Sequence, residues 1–112
     1  MVGAFSGCTK LTSVTISNSV TEIMHRAFAG CTSLIRINIP NSVTMIGQDA
    51  LGNCINLTSV TFQGRISNLG DSSYGVGWLP FDGDLRDKYR AGGTGTYITI
   101  APVSWDSIWR KQ

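Results

Sequence analysis

Charge is scarce in this chain, and histidine scarcer. Lys, Arg, Asp and Glu make up 14% of the 112 residues, the net charge is +2, and His25 is the single histidine. No run of like charge appears, so neither a basic nucleic-acid tract nor an acidic tail is present, and no nucleic-acid partner is expected. No apolar stretch approaches the roughly 18 residues that span a bilayer, so no membrane insertion is expected. The opening MVGAFSGC has neither a basic n-region nor an apolar h-region, and no signal peptide is visible. Either the chain is cytoplasmic as written, or it is a trimmed piece of an exported protein.

The same scarcity bears on chemistry. A metal site would need histidine or further cysteine beside the three cysteines, and His25 is the single histidine; an odd cysteine count suits a disulfide framework badly. Acids gather only in the loop of Asp82, Asp84 and Asp87, where the last two read as helix-start residues. AGGTGTY at 91–97 lacks the Gly-Lys-Ser/Thr ending of a phosphate loop. No catalytic residue, metal or cofactor is expected, and the chain is read as no enzyme.

What the sequence has is repetition. Residues 4–26, 27–49 and 50–72 align without gaps. Leu11, Leu34 and Leu57 fall in one column, Val14, Ile37 and Val60 in the next, then Ile16, Ile39 and Phe62. Cys8, Cys31 and Cys54 share a column 23 residues apart, with Ala4, Ala27 and Ala50 upstream. A fixed period of 20–29 residues marks a solenoid whose units cannot bury their apolar faces alone. LTSVTI, LIRINI and LTSVTF alternate apolar and polar residues and read as short strands that stack into a parallel sheet. HRAFAGC and QDALGNC are too short for a full helix and read as helical turns. The cysteines become one rung of this ladder: buried, reduced, small apolar side chains.

In such a strand the Val and Ile point inward and their neighbours outward. Ser13, Thr15, Arg36, Asn38, Ser59 and Thr61 are therefore the expected partner-binding face, small and hydroxyl-rich with a single charge. Phe5, Leu11, Val14 and Ile16 of the first unit have no unit stacked on one side, so self-association into a homo-oligomer is expected there. NLT at 56–58 matches a glycosylation sequon but begins a strand, and it is read as chance.

After residue 72 the repeat stops. Seven of the ten aromatics fall in this tail: Tyr74, Trp78, Phe81, Tyr89, Tyr97, Trp105 and Trp109. GVGWLPFDGD reads as a loop. DLRDKYRAGG reads as a short helix with Asp84 as N-cap, Leu85 and Tyr89 as its buried stripe, and Gly92-Gly93 ending it. TYITIAP and SIWRK read as two strands joined by a turn around 102–106. Trp105, in that turn, is the candidate exposed binding aromatic.

These units resemble the leucine-rich repeat superfamily, most nearly its BspA-like, treponema-type branch, whose 23-residue units read Ala-Phe, Gly-Cys, Leu-x-x-Val-x-Ile, Pro-x-Ser-Val. AFAGCTSLIRINIPNSVTMIG is close to an ideal unit, and ALGNC and FQGRIS depart from it in the third. The tail's Asp-Leu-Arg-x-Lys-Tyr-x-x-Gly-Gly, Gly-Thr-Tyr and Trp-x-Lys are similar to the ends of such arrays. The implied fold class is mainly β with short helical turns (α+β): a leucine-rich repeat solenoid with a parallel sheet, over 1–72, and an aromatic C-terminal cap with a short helix and a β-hairpin, over 73–112, in one domain. The resemblance implies a protein-protein interaction or adhesion module, secreted or on a bacterial surface, with a protein partner from a host or another cell. The alternative is a binder of a small apolar ligand, held between the solenoid end and the aromatic tail.

Overall fold

The computed structural model describes residues 7–67, 83–104 and 106–112. The chain is mainly β, with one short helix and a mostly parallel sheet that does not close. In each 23-residue unit a leucine stands two residues before the strand: Leu11, Leu34 and Leu57. The three strands are β1 (Ser13–Thr15), β3 (Arg36–Ile39) and β5 (Ser59–Phe62), paired parallel. Ser13 lies opposite Arg36 and Arg36 opposite Ser59, so the register step equals the sequence period. Two short strands, β2 (Glu22–Ile23) and β4 (Met45–Ile46), pair in a second parallel sheet with the same step.

The period reappears in the backbone hydrogen bonds. Ile35 N–H donates to Thr12 O at 2.9 Å and Thr58 N–H to Ile35 O at 3.0 Å. Thr44 and Ser67 each donate through backbone N–H and hydroxyl to the carbonyl 23 residues earlier. At the turns, Phe28 N–H donates to Ala50 O and Gly30 N–H to Gly52 O, both at 2.8 Å. The expected helical turns are tight turns closed by bonds between residues three apart, such as Cys31 N–H to Phe28 O. Arg26, Asp49 and Asn53 adopt positive φ there, which stops a helix from propagating. The core between the two sheets is apolar: Ala27, Phe28, Leu34, Ile39, Val43, Ile46, Ala50 and Val60 are all fully buried.

The C-terminal segment joins this sheet. Helix α1 (Leu85–Gly92) is followed by β6 (Gly95–Ile98) and β7 (Arg110–Lys111). β6 pairs antiparallel with β5, and β7 antiparallel with β6, giving the order β1-β3-β5-β6-β7. Leu85 and Tyr89 are the buried residues of α1, as the i, i+4 spacing requires. Asp84 is the N-cap residue of α1, as expected, but its side chain makes no capping bond. Its Oδ1 instead accepts the Trp109 N–H at 2.7 Å, while Asp84 N–H donates to Ser107 O, so the helix start is tied to the strand that follows it in space. The loop at 75–82, with Trp78 and Phe81, and Tyr74 lie outside the described residues.

Candidate functional site

The outward face of the larger sheet holds six of the seven residues that the sequence assigns to partner binding, all but Trp105. Ser13, Thr15 and Arg36 are exposed, and Asn38, Ser59 and Thr61 are half-buried. The gradient has a simple cause. β1 is an edge strand, whereas β5 lies between β3 and β6. Together the six line a shallow depression of about 250 Å³, with Val14 and Ile37 in its floor. A second hollow of about 180 Å³, lined by Thr12, Ser13, Ile35 and Arg36, lies beside it.

The register extends this face beyond the repeats. Ile98 lies opposite Ser59 and Arg110 opposite Ile98, so one row reads Ser13, Arg36, Ser59, Ile98, Arg110. The next row reads Thr15, Asn38, Thr61, Thr96, with Thr61 and Thr96 hydroxyls hydrogen-bonded at 2.8 Å. Thr96, Ile98 and Arg110 are site residues that the sequence reading missed. Their period-2 placement around buried Tyr97 was legible, but not that their strands would join β5 in the same plane.

Other hollows serve this purpose less well. The larger one, about 390 Å³, lies at the turns, lined by Gly7, Arg26, Ala29, Gly30, Asp49, Gly52 and Asn53. Its lining is turn residues, five of them with positive φ, so it follows from how the turns stack. Among the described residues, three aromatic rings pack together at the junction between third unit and tail. Phe62 and Tyr89 ring centroids are 4.1 Å apart, Phe62 and Tyr97 5.7 Å, and Tyr89 and Tyr97 6.3 Å in an edge-on contact. Tyr89 Oη donates to Gly64 O at 2.8 Å and accepts the Ile66 N–H at 3.0 Å. Tyr97 Oη donates to Gly93 O at 2.7 Å, and burial, then the neighbouring Tyr89, push its phenol up from the ordinary range.

The first unit's edge residues divide. Leu11 and Val14 are half-buried, whereas Leu34, Leu57, Ile37 and Val60 in the same columns are buried. Ile16 is buried, 7% exposed, and offers that edge little. Phe5 and Trp105 lie outside the described residues. Cys31 and Cys54 are buried and Cys8 half-buried, all three as free thiols. Asn56, the sequon asparagine, donates its side-chain amide to Thr32 O at 2.8 Å. No group of His, Cys, Asp and Glu that could hold a metal ion occurs among the described residues, and no helix among them is long and apolar enough to cross a membrane.

Parallel strands repeating at a 23-residue step, each preceded by a leucine that packs on the core, define a leucine-rich repeat protein. A family model described as BspA type leucine rich repeat region (6 copies) matches residues 2–76, and the chain belongs to that family. No curated protein and no solved structure matches it.

Proposed function

We propose that the chain is a non-enzymatic protein-interaction module: a short solenoid over 1–72, its last unit covered by the C-terminal segment as a cap, that binds a protein partner through the outward sheet face. The family points to protein partners. The observation that carries the reading is the convergence of Ser13, Thr15, Arg36, Asn38, Ser59 and Thr61 on one depression. Donors and acceptors of small side chains lie there in two straight rows, which suits recognition of another protein's backbone and polar groups. Three narrow strands offer less than the roughly 800 Å² per partner of a standard interface, so the hairpin strands must contribute. Adhesion at a bacterial surface is the setting we assign to this binding. Capture of purified host matrix and serum proteins by the immobilised chain tests it, with Arg36→Glu as the paired control. Binding by wild type that falls at least fivefold in the variant is the expected result, and equal binding by both overturns it.

We further propose that the chain self-associates through the β1 edge. Ser42 Oγ donates to Val20 O across the unit boundary, whereas Ser19, its counterpart one unit earlier, bonds Ser17 within its own unit. The first unit, whose strand is β1, thus carries a serine and the half-buried Leu11 and Val14, whose counterparts one unit later meet a neighbour.

A further inference from the structure

The two ends of the outward face differ in chemistry. Toward β1 it is hydroxyl-rich. Toward β7 it is apolar and cationic, and this half is built by the hairpin. Ile98 stands between Ser59 and Arg110 in one row, with Arg36 on the far side of Ser59. Continuing the hairpin register places Ile100 opposite Ile108, and the Thr99 hydroxyl, donating to Ile108 O at 2.8 Å, holds the two segments together there. Ile100 is 85% exposed and Ile108 74%. Ile35, 45% exposed, lines the neighbouring hollow together with Ser13 and Arg36. Single exposed isoleucines are ordinary, but a cross-strand pair beside Ile98 is a contiguous apolar strip.

The charges are as informative. The other cations of this region are engaged: Lys88 Nζ donates to Trp109 O and Lys111 Nζ to Gly92 O, both on the helix side of the sheet. Arg36 and Arg110 are exposed and make no ion pair among the described residues. Neither row of the face contains an acid. Asp106, in the hairpin loop, is hydrogen-bonded to the Ser104 hydroxyl. Arg36 and Arg110 are three strand spacings apart, roughly 14 Å at about 4.8 Å per strand.

Resting on the reading of this face as the interaction surface, we infer that its hairpin half receives an extended acidic segment of a partner protein. The segment crosses the strands with a carboxylate over each of Arg36 and Arg110 and an apolar side chain against Ile98, Ile100 and Ile108. In an extended chain residues i, i+2 and i+4 share one side, and i to i+4 spans roughly 13–14 Å. The motif is therefore acid-x-apolar-x-acid. Guanidinium groups favour carboxylates through paired N–H donors. A sulfated glycan or a nucleic acid fits less well, since two arginines are a sparse cation array, and Ile98 between them, with Ile100 and Ile108 beside it, would have no apolar partner.

Selection of a phage-displayed random 12-residue library on the immobilised 112-residue chain tests this. The enriched peptides are then measured by fluorescence anisotropy against wild type, Arg110→Glu, Ile98→Thr, Thr15→Arg and an off-face control, Lys10→Glu, each checked for native circular dichroism. The expected result is enrichment of acid-x-apolar-x-acid, at least tenfold weaker binding to Arg110→Glu, several-fold weaker binding to Ile98→Thr, and no change with Lys10→Glu. Peptides lost on Thr15→Arg but indifferent to Arg110→Glu and Ile98→Thr would overturn this inference and leave the face reading standing. Peptides indifferent to every face substitution, or no enrichment, would overturn both. A heparin dodecasaccharide binding as tightly as the best peptide, with the same Arg110→Glu sensitivity, would overturn it in favour of a polyanion.

Discussion

Gly47 shows how little room separates one unit from the next. A Cβ there would lie 2.8 Å from His25 N and 3.1 Å from Met24 C, and these are backbone atoms that cannot swing aside. The same column holds Met24 in the first unit, where a side chain is accommodated. Gly47→Ala is expected to destabilise the fold by about 1–3 kcal/mol, as overpacking does, seen as a lower denaturant midpoint with unchanged slope. The cysteines differ for the same reason of stacking. Cys31 and Cys54 are covered by a neighbouring unit, and Cys54 Sγ donates to Phe28 O at 3.2 Å. Burial pushes the Cys31 thiol up, which keeps it neutral and slow to react. Thiol labelling of the native chain should therefore show Cys8 reacting first and the other two only on unfolding. Rapid labelling of all three would contradict the ladder.

At the scale of elements, the helix and hairpin are held by polar ties as much as by apolar burial. Asp84 accepts from Trp109 and pairs with Lys88 at 3.4 Å, Lys88 reaches Trp109 O, and Lys111 reaches Gly92 O. The tie to the repeats is Tyr89. Its hydroxyl serves Gly64 O and Ile66 N–H, two groups of the third unit. Tyr89→Phe keeps the ring contact with Phe62 but leaves both backbone groups without this partner. A loss of about 1–3 kcal/mol is expected, the usual consequence of unsatisfied buried groups. Chemical denaturation checks it. A variant as stable as wild type would mean that the ring alone joins α1 to the third unit.

For the whole molecule the question is how the sheet's edges are finished. β7, at one edge, has only two residues, Arg110 and Lys111, both exposed and charged, a composition that discourages further pairing. β1, at the other edge, carries Ser13, Val14 and Thr15 and no charge. Under the self-association proposed through β1, two such edges close most simply as a two-fold dimer rather than a filament. Light scattering after size exclusion should show dimer at high concentration and monomer for Val14→Glu; a strict monomer, or an oligomer indifferent to the substitution, would exclude the β1 edge. Removing the tail tests the other edge. A 1–72 fragment exposes the β5 edge and the Phe62 ring that Tyr89 and Tyr97 cover, so it is expected to aggregate on expression. A soluble fragment that unfolds cooperatively would show that residues 73–112 are an appended module and not a cap.

The repeat, its strand register and its inward and outward columns were legible in the sequence because each unit meets a copy of itself. A 23-residue step in sequence becomes a one-strand step in space, so alignment columns are rows on the sheet. Leu85 and Tyr89 were legible for a similar reason, since helical spacing alone places them on one face. The tail's place in the sheet was not, because β6 shares no period with β5. What joins them is the open edge of the third unit, where Thr99 N–H donates to Thr58 O as Thr58 does to Ile35 O. The role of Asp84 also depended on that placement. An aspartate before a helix caps it by default, and only the arrival of Trp109 beside it, 25 residues later, supplied a better donor. The repeat dictates a ladder of closely similar rungs, because each unit buries its apolar columns against its neighbour. That the tail continues the sheet, and so that Ile98 and Arg110 share a face with Arg36, follows from its pairing with the open edge of β5.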